Sequence, residues 1–207
     1  MIRIAIVDDE SLVAQSLGTL LGLEEDLAVD VVCASGEELL DWWRRQQTTG
    51  GDLPDVCVCD LQLGGIDGID TALAVAELTP GTGALIVTSH ARPRQLRRAL
   101  ASGILGFLPK TSTSEDFAAA IRAVHACRRH LDPELAAMTI SAGDSPLTDR
   151  EAELLEIAGR GGSVEDIAAA AHLAPGTTRN YLSSAMGKVG AQNRFEAYTR
   201  ARELGWV

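Results

Sequence analysis

Residues 55–68 read DVCVCDLQLGGIDG, and this stretch decides the fold. The four residues from Val56 to Cys59 are all apolar, which is typical of a β-strand covered on both faces. The run ends at Asp60, and the glycine-rich residues that follow predict a loop leading into a helix. The stretch therefore predicts an interior strand of a parallel sheet, with an aspartate at its carboxyl end.

Runs of the same kind recur on both sides of this strand, each followed by a segment with helical periodicity. Five such pairs in succession predict a doubly wound α/β domain with a five-stranded parallel sheet, a flavodoxin-like arrangement. Residues 47–53 are rich in Thr and Gly and predict an enlarged loop. The predicted strands are Arg3–Val7, Leu27–Cys33, Asp55–Asp60, Ala84–Thr88 and Ile104–Leu108. The predicted helices are Ser11–Gly22, Glu37–Gln46, Gly68–Leu78, Arg94–Ser102 and Glu115–Cys127.

The pattern changes after Cys127. A short helix is expected from Asp132 to Met138, and residues 140–146 have the composition of a linker. We therefore divide the chain into a first domain at 1–127, a linker with a short helix at 128–146, and an all-α four-helix domain at 147–207. Thr148 and Ser163 are expected to cap two of these helices, and Pro175 suits a first helical turn. The four helices are predicted at Asp149–Gly159, Val164–Ala171, Pro175–Val189 and Arg194–Glu203.

The composition is that of an ordinary globular protein, with 46% hydrophobic and 23% charged residues. No apolar run approaches the roughly 18 residues of a membrane helix, and the N-terminus does not resemble a signal peptide. We therefore expect a cytoplasmic protein that does not associate with membranes. The net charge of −11 argues against non-specific coating of nucleic acids. Cys57 and Cys59 are interpreted as small apolar residues of a buried strand rather than metal ligands.

Charged and polar side chains follow four of the predicted strands. Asp8 and Asp9 follow the first strand, Asp60 ends the third, Thr88 ends the fourth and Lys110 follows the fifth. The carboxyl ends of parallel strands meet at one edge of the sheet, so these groups should lie close together. Clustered carboxylates hold protons or recruit a cation, and Mg²⁺ prefers such oxygen ligands. A carboxylate can also attack phosphorus, which makes Asp60 a candidate phosphoacceptor, with Lys110 and Thr88 binding the phosphoryl oxygens.

Each of these residues alone has an ordinary explanation, and only their joint occurrence at four strand ends is specific. A phosphatase of the haloacid-dehalogenase type would use a similar set. That chemistry needs a second acid two residues after the nucleophile, where this chain has Gln62. A further alternative is a regulator that works without phosphorylation, whose carboxylates only bind metal or stabilise the fold.

The segment Pro175–Val189 reads PGTTRNYLSSAMGKV and contains no acidic residue. It is a candidate recognition helix of a helix-turn-helix unit, the element that enters the DNA major groove. Arginine can pair with guanine and asparagine with adenine, whereas hydroxyl and ammonium groups suit phosphate oxygens. The candidate DNA-contacting residues are Thr177, Arg179, Asn180, Tyr181, Ser183 and Lys188.

Residues 2–125 resemble the receiver domain of two-component response regulators, through VDDE, CVCDLQLGGIDG, VTS and GFLPK. The resemblance implies that a sensor histidine kinase phosphorylates Asp60 and that the chain is not an enzyme beyond self-phosphotransfer and slow autodephosphorylation. It also implies that Asp8, Asp9, Asp60 and the carbonyl of Gln62 hold Mg²⁺. The same resemblance implies a conformational switch through Thr88 and Phe107, beside the phosphate-binding Lys110.

Residues 146–204 resemble the LuxR-type helix-turn-helix of NarL/FixJ response regulators, and within that group the DesR-like members. The resemblance implies a homodimer, promoted by phosphorylation, that binds paired half-sites on promoter DNA and regulates transcription. It also assigns the last helix to a dimer seam, although the same residues could instead complete the small core. The predicted dimerisation residues are Phe195, Tyr198 and Ala201.

The residues of the first domain do not decide the lifetime of the phosphorylated form or the face that dimerises. Side chains beside the acceptor, Gln62 and His90 among them, are expected to influence the lifetime of the phosphorylated form. The receiver face that dimerises is either the first helix with the fifth or the fourth helix, which carries Arg92 and other arginines.

Overall fold

The computed structural model describes residues 1–89, 93–141, 143 and 145–207. His90 and Arg92, named above, lie outside these residues. The chain folds into two compact units: the first contains residues 1–89 and 98–133, and the second contains residues 134–207 together with residues 93–97. The separate linker at 128–146 stays a prediction.

The first unit is built on a parallel sheet with strand order β2-β1-β3-β4-β5-β6. The five predicted strands are confirmed, but the sheet has a sixth, which corrects the predicted count. This strand has only two residues, too few to give a sequence pattern, and the amide of His130 donates to the carbonyl of Leu105 at 2.9 Å. The strands are β1 Ile2–Val7, β2 Leu27–Cys33, β3 Val56–Asp60, β4 Gly83–Thr88, β5 Gly106–Pro109 and β6 His130–Leu131.

In the described part of the chain up to β6, five helices alternate with the strands, as the sequence pattern predicts. The second helix is longer than expected and runs through part of the predicted loop at 47–53 before it ends at Gly50, whose φ is 70°. The side chain of Gln47 donates to the carbonyl of Leu78 at 2.8 Å, which ties this extra turn to the third helix. The helices are α1 Ser11–Leu21, α2 Gly36–Thr49, α3 Gly68–Leu78, α4 Pro93–Ala101 and α5 Ser114–His125.

The apolar run of β3 lies in the core of the first unit. All five residues of β3 are buried, and Val56 and Val58 pack in one cluster with residues of β1, β4, α1 and α5. Cys57 and Cys59 are also buried, with their sulfur atoms 3.1 Å apart, as the interpretation of small apolar residues requires. A fully buried β3 fixes the position of Asp60 at its end.

The second unit is helical. Thr148 and Ser163 each form a capping box with the acidic residue three positions later, and Pro175 lies in the first turn of its helix, as predicted. Leu154, Leu155 and other small or apolar residues from four helices form its core. The helices are α6 Pro133–Ser141, α7 Asp149–Gly159, α8 Val164–Ala170, α9 Pro175–Val189 and α10 Arg194–Glu203.

Across the part of the chain that is described, no helix is both long and apolar enough to span a bilayer.

Candidate functional site

The carboxyl edge of the sheet brings together the predicted site residues of the first unit. Asp8 directly follows β1 and Asp60 ends β3, the strand next to it in the sheet. Thr88 ends β4, and its carbonyl accepts a hydrogen bond from the backbone amide of Lys110 at 2.8 Å. Since β1, β3, β4 and β5 are consecutive in the sheet, their ends form one continuous site.

Three carboxylates lie in this site. Asp8 and Asp60 are 3% and 4% exposed, whereas Asp9 is exposed. One oxygen of each lies within 4.8 Å of the others. Hard divalent cations such as Mg²⁺ are held by carboxylate oxygens and complete their octahedral shell with water or phosphate oxygens. The donor set therefore fits Mg²⁺.

Gln62 contributes to the site through its backbone. Its amide donates to Oδ1 of Asp60 at 3.3 Å, and its side chain is exposed. Ligation of a metal by the Gln62 carbonyl stays a prediction.

The ammonium group of Lys110 is the cation at the centre of the site. Its Nζ lies 2.8 Å from Asp8 Oδ2, 2.9 Å from Glu10 Oε1 and 3.0 Å from Asp60 Oδ2. Burial alone would lower the pKa of Lys110, but its hydrogen bonds to the three carboxylates outweigh burial and raise that pKa. Lys110 therefore stays protonated at neutral pH.

Burial raises the pKa of the Asp60 carboxyl, and the neighbouring Lys110 opposes that rise. A carboxylate in this position depends on a nearby cation to stay charged.

Glu10 is a member of this site that sequence reasoning missed. Its signal was its place directly after the two aspartates in VDDE. The strand pattern could not place Glu10 in the site, because this residue lies three positions beyond the end of β1. Its long side chain is what allows the carboxylate to contact Lys110.

The two predicted switch residues lie inside the first unit. Thr88 is fully buried at the end of β4. Phe107 is also buried, and its place on β5 is opposite Ile86 of β4. Thr88 is thus at the acidic edge and Phe107 lies three residues before Lys110, and the switching role of both stays a prediction.

The predicted DNA-contacting residues all lie on α9, but they differ in exposure. Thr177, Arg179, Asn180 and Ser183 are exposed. Arg179 pairs with Glu165 of α8 at 2.7 Å, and both side chains are largely exposed. Tyr181 is only partly exposed and packs against the core of the unit.

Lys188 has a structural partner that the sequence did not reveal. Its Nζ lies 2.7 Å from Oε2 of Glu151, which is buried in α7. Ser184 and the backbone amide of Thr148 also donate to Glu151. Burial would raise the pKa of Glu151, but these hydrogen bonds prevail and lower it to about 2. Lys188 therefore joins α9 to α7, whatever else it contacts.

The predicted dimerisation residues do not share one surface. Phe195 is 69% exposed. The ring of Tyr198 lies against Gly159, where a Cβ atom would overlap it. Ala201 is completely buried in the core of its own unit, which fits the alternative that this residue completes the small core, and its part in a dimer seam stays a prediction. Close packing of α10 against α7 and α9 requires a small residue there.

Family comparisons agree with the architecture. Residues 4–122 match the family described as response regulator receiver domain, and residues 145–201 match bacterial regulatory proteins of the luxR family. The transcriptional regulatory protein DesR of Bacillus subtilis strain 168 is 37% identical over 206 residues, covering 100% of this chain and 99% of DesR.

Two solved structures are also similar. The response regulator ChrA of a heme-sensing two-component system is 29% identical with a TM-score of 0.56, over 100% of this chain and 98% of that one. A complex of the response regulator RcsB with DNA has a TM-score of 0.62 over 97% of this chain and 98% of that one, and at 22% identity it shows the fold alone. With a matched receiver domain, a matched DNA-binding domain and a full-length relative, this chain belongs to the two-component response regulators, as a DesR-like transcriptional regulator of the NarL/FixJ type.

Proposed function

We propose that phosphorylation of Asp60 switches this regulator between a form that binds DNA weakly and one that binds it well. The observation that carries the proposal is the contact of one buried ammonium, Lys110, with Asp8 at 2.8 Å and Asp60 at 3.0 Å. A carboxylate beside a cation and a metal-binding carboxylate cluster can accept a phosphoryl group without accumulating uncompensated charge.

The donor in this proposal is a phosphohistidine of a cognate sensor kinase. An oxygen of Asp60 forms a bond to phosphorus while the phosphorus–nitrogen bond of the donor breaks. The electron pair of the broken bond returns to the imidazole nitrogen, which takes up a proton from water. The products are an aspartyl phosphate and a neutral histidine.

Asp8, Asp9 and Asp60 would hold Mg²⁺, with the Gln62 carbonyl as a further ligand. When bound, this ion supplies a Lewis acid that offsets charge on the phosphoryl oxygens. Lys110 neutralises a phosphoryl oxygen from the other side. The hydroxyl of Thr88 then donates to the phosphoryl group, and Phe107 moves with it.

The output of the switch is dimerisation and DNA binding in the cytoplasm. Phosphorylation shifts the population towards a homodimer, which raises the effective concentration of the second DNA-binding domain at a paired half-site. The exposed residues Arg179 and Asn180 of α9 read bases, while Thr177, Tyr181 and Lys188 contact phosphate oxygens. The DNA complex of the structurally similar RcsB supports this use of the fold.

The test is intact-mass spectrometry after incubation with acetyl phosphate and Mg²⁺, followed by a gel shift on promoter DNA. We expect one phosphoryl group on the wild type, none on Asp60→Asn, and tighter DNA binding only when the wild type is phosphorylated. Equal DNA affinity with and without phosphorylation would instead favour a phosphorylation-independent regulator.

The phosphatase alternative can be tested with p-nitrophenyl phosphate. Gln62 occupies the position where a phosphatase of that type needs its general acid, and an amide cannot protonate a leaving group. We therefore expect slow loss of the Asp60 phosphoryl group to water and no repeated turnover of the ester.

A further inference from the structure

Glu10 is a fourth carboxylate at the phosphorylation site. Its Oε1 lies 2.9 Å from Nζ of Lys110, on the same ammonium that contacts Asp8 and Asp60. Its side chain is 59% exposed, whereas those of Asp8 and Asp60 are almost fully buried. Glu10 therefore approaches Lys110 from the solvent side of the site.

The ammonium of Lys110 has no spare N–H donor for a phosphoryl oxygen. An ammonium has three N–H donors, and Nζ already lies within 3.0 Å of three carboxylate oxygens. A phosphoryl oxygen arriving on Asp60 needs one of these donors. One of the present contacts must therefore be given up when the group is transferred.

Glu10 is the partner that can leave most easily. Asp8 is buried and accepts a further hydrogen bond from the backbone amide of Glu10 at 2.9 Å, so its position is fixed. The Glu10 side chain, once released, is solvated by water. Until it leaves, its negative charge also opposes an anionic phosphodonor at the mouth of the site.

Resting on the function proposed above, we infer that Glu10 is a positioning residue that occupies Lys110 before phosphorylation and limits capture of the phosphoryl group. It acts through Lys110 and does not contact phosphorus. It restrains phosphorylation by small anionic donors such as acetyl phosphate, so it helps to reserve the site for the kinase.

The test compares Glu10→Gln with the wild type and with Glu25→Gln. The glutamine keeps the backbone hydrogen bond to Asp8 but removes the charge. Glu25 is an exposed acid in the turn before β2, at the opposite end of the sheet, so its change controls for net charge. The measurements are the initial rate of phosphorylation by acetyl phosphate at saturating Mg²⁺ and the affinity for beryllofluoride, a phosphoryl analogue.

We expect Glu10→Gln to raise both the rate and the beryllofluoride affinity by about three- to fivefold, the size of an exposed ion pair. Glu25→Gln should leave both unchanged, and the thermal unfolding midpoint should be the same in all three proteins. A rate and an affinity for Glu10→Gln at or below those of the wild type would overturn the inference. A wild type that takes up no phosphoryl group at all would instead overturn the proposed function.

Discussion

Gly68, the first residue of α3, lies directly against the backbone of Asp60, so that a Cβ atom on residue 68 would overlap the Asp60 carbonyl oxygen. The amide of Gly68 also donates to the carbonyl of Leu61 at 3.2 Å. The loop after the acceptor thus closes tightly, and α3 begins beneath the site. Only a residue without a side chain allows this approach.

Gly68→Ala is therefore expected to destabilise the protein. The obstructing atoms belong to backbone that is fixed by β3, so neither side can move without disturbing the sheet. We expect the free energy of unfolding to fall by about 2–3 kcal/mol, in the range for overpacked sites. Urea unfolding followed by circular dichroism measures this change.

Gly64→Ala is the matched control, because Gly64 lies in the same loop and a Cβ there would meet no atom within 4 Å. Its effect should stay within about 0.5 kcal/mol. Equal stability of the two variants would show that the close approach at Gly68 is relieved by a small movement of the loop.

The three-carboxylate cluster predicts a specific response to metal. Mg²⁺ that binds only the folded protein should raise the unfolding temperature of the wild type in a concentration-dependent manner. Asp9→Asn removes one ligand from an exposed position, so it should alter the fold little but raise the Mg²⁺ concentration needed for half of this shift by at least about tenfold.

Differential scanning fluorimetry over a range of Mg²⁺ concentrations measures the shift, with Glu25→Gln as the control for loss of one surface charge. The same Mg²⁺ dependence in Asp9→Asn and the wild type would exclude Asp9 as a ligand.

The acidic edge could be predicted from sequence because its geometry depends on topology. Each of Asp8, Asp60, Thr88 and Lys110 lies at or just beyond a strand end, and neighbouring parallel strands bring their ends together whatever the details of packing. The buried pair Cys57 and Cys59 follows from strand composition in the same way. These inferences required only the hydrophobic periodicity of the strands and helices and their order along the chain.

The contacts of Lys188 and Ala201 could not be predicted, because they depend on which helices of the second unit pack together. The sequence predicts phosphate contact for Lys188 because an ammonium suits phosphate oxygens, but it does not show that the neighbouring α7 presents a buried Glu151 to this side chain. The family resemblance predicts a dimer seam at Ala201, whereas the structure shows its side chain packed in the core of the small unit. A buried acid implies a cationic partner, but sequence alone does not name the partner.

Glu151 should make the second unit sensitive to acid. Its pKa in the folded protein is about 2, against an ordinary value of 4.5, so its charged form stabilises the fold fully above about pH 4.5. This stabilisation is lost as the pH falls from about 4.5 towards 2. The protection factors of amide hydrogens in α7 and α9, which are corrected for the intrinsic exchange rate at each pH, should therefore fall over that range in the wild type.

Glu151→Gln should remove most of this pH dependence. At neutral pH it should also lower the stability of the second unit by about 2 kcal/mol, because Lys188 and Ser184 lose a charged acceptor. Glu203→Gln, at an exposed position on α10, is the control and should follow the wild type. An unchanged pH profile in Glu151→Gln would mean that another group controls the acid response.

Arg179 provides the sharpest test of DNA reading by α9. The side chains of Arg179 and Glu165 are both largely exposed, so their ion pair is weak. The pair can therefore break when a guanine base offers two acceptors to Arg179. We expect Arg179→Ala to lose about 1–3 kcal/mol of binding free energy on the cognate promoter, and much less on unrelated DNA.

Arg160→Ala removes the same charge from an exposed position at the end of α7 and should keep full affinity. Fluorescence anisotropy at two salt concentrations measures both, and an equal loss on cognate and unrelated DNA would assign Arg179 to the phosphate backbone instead.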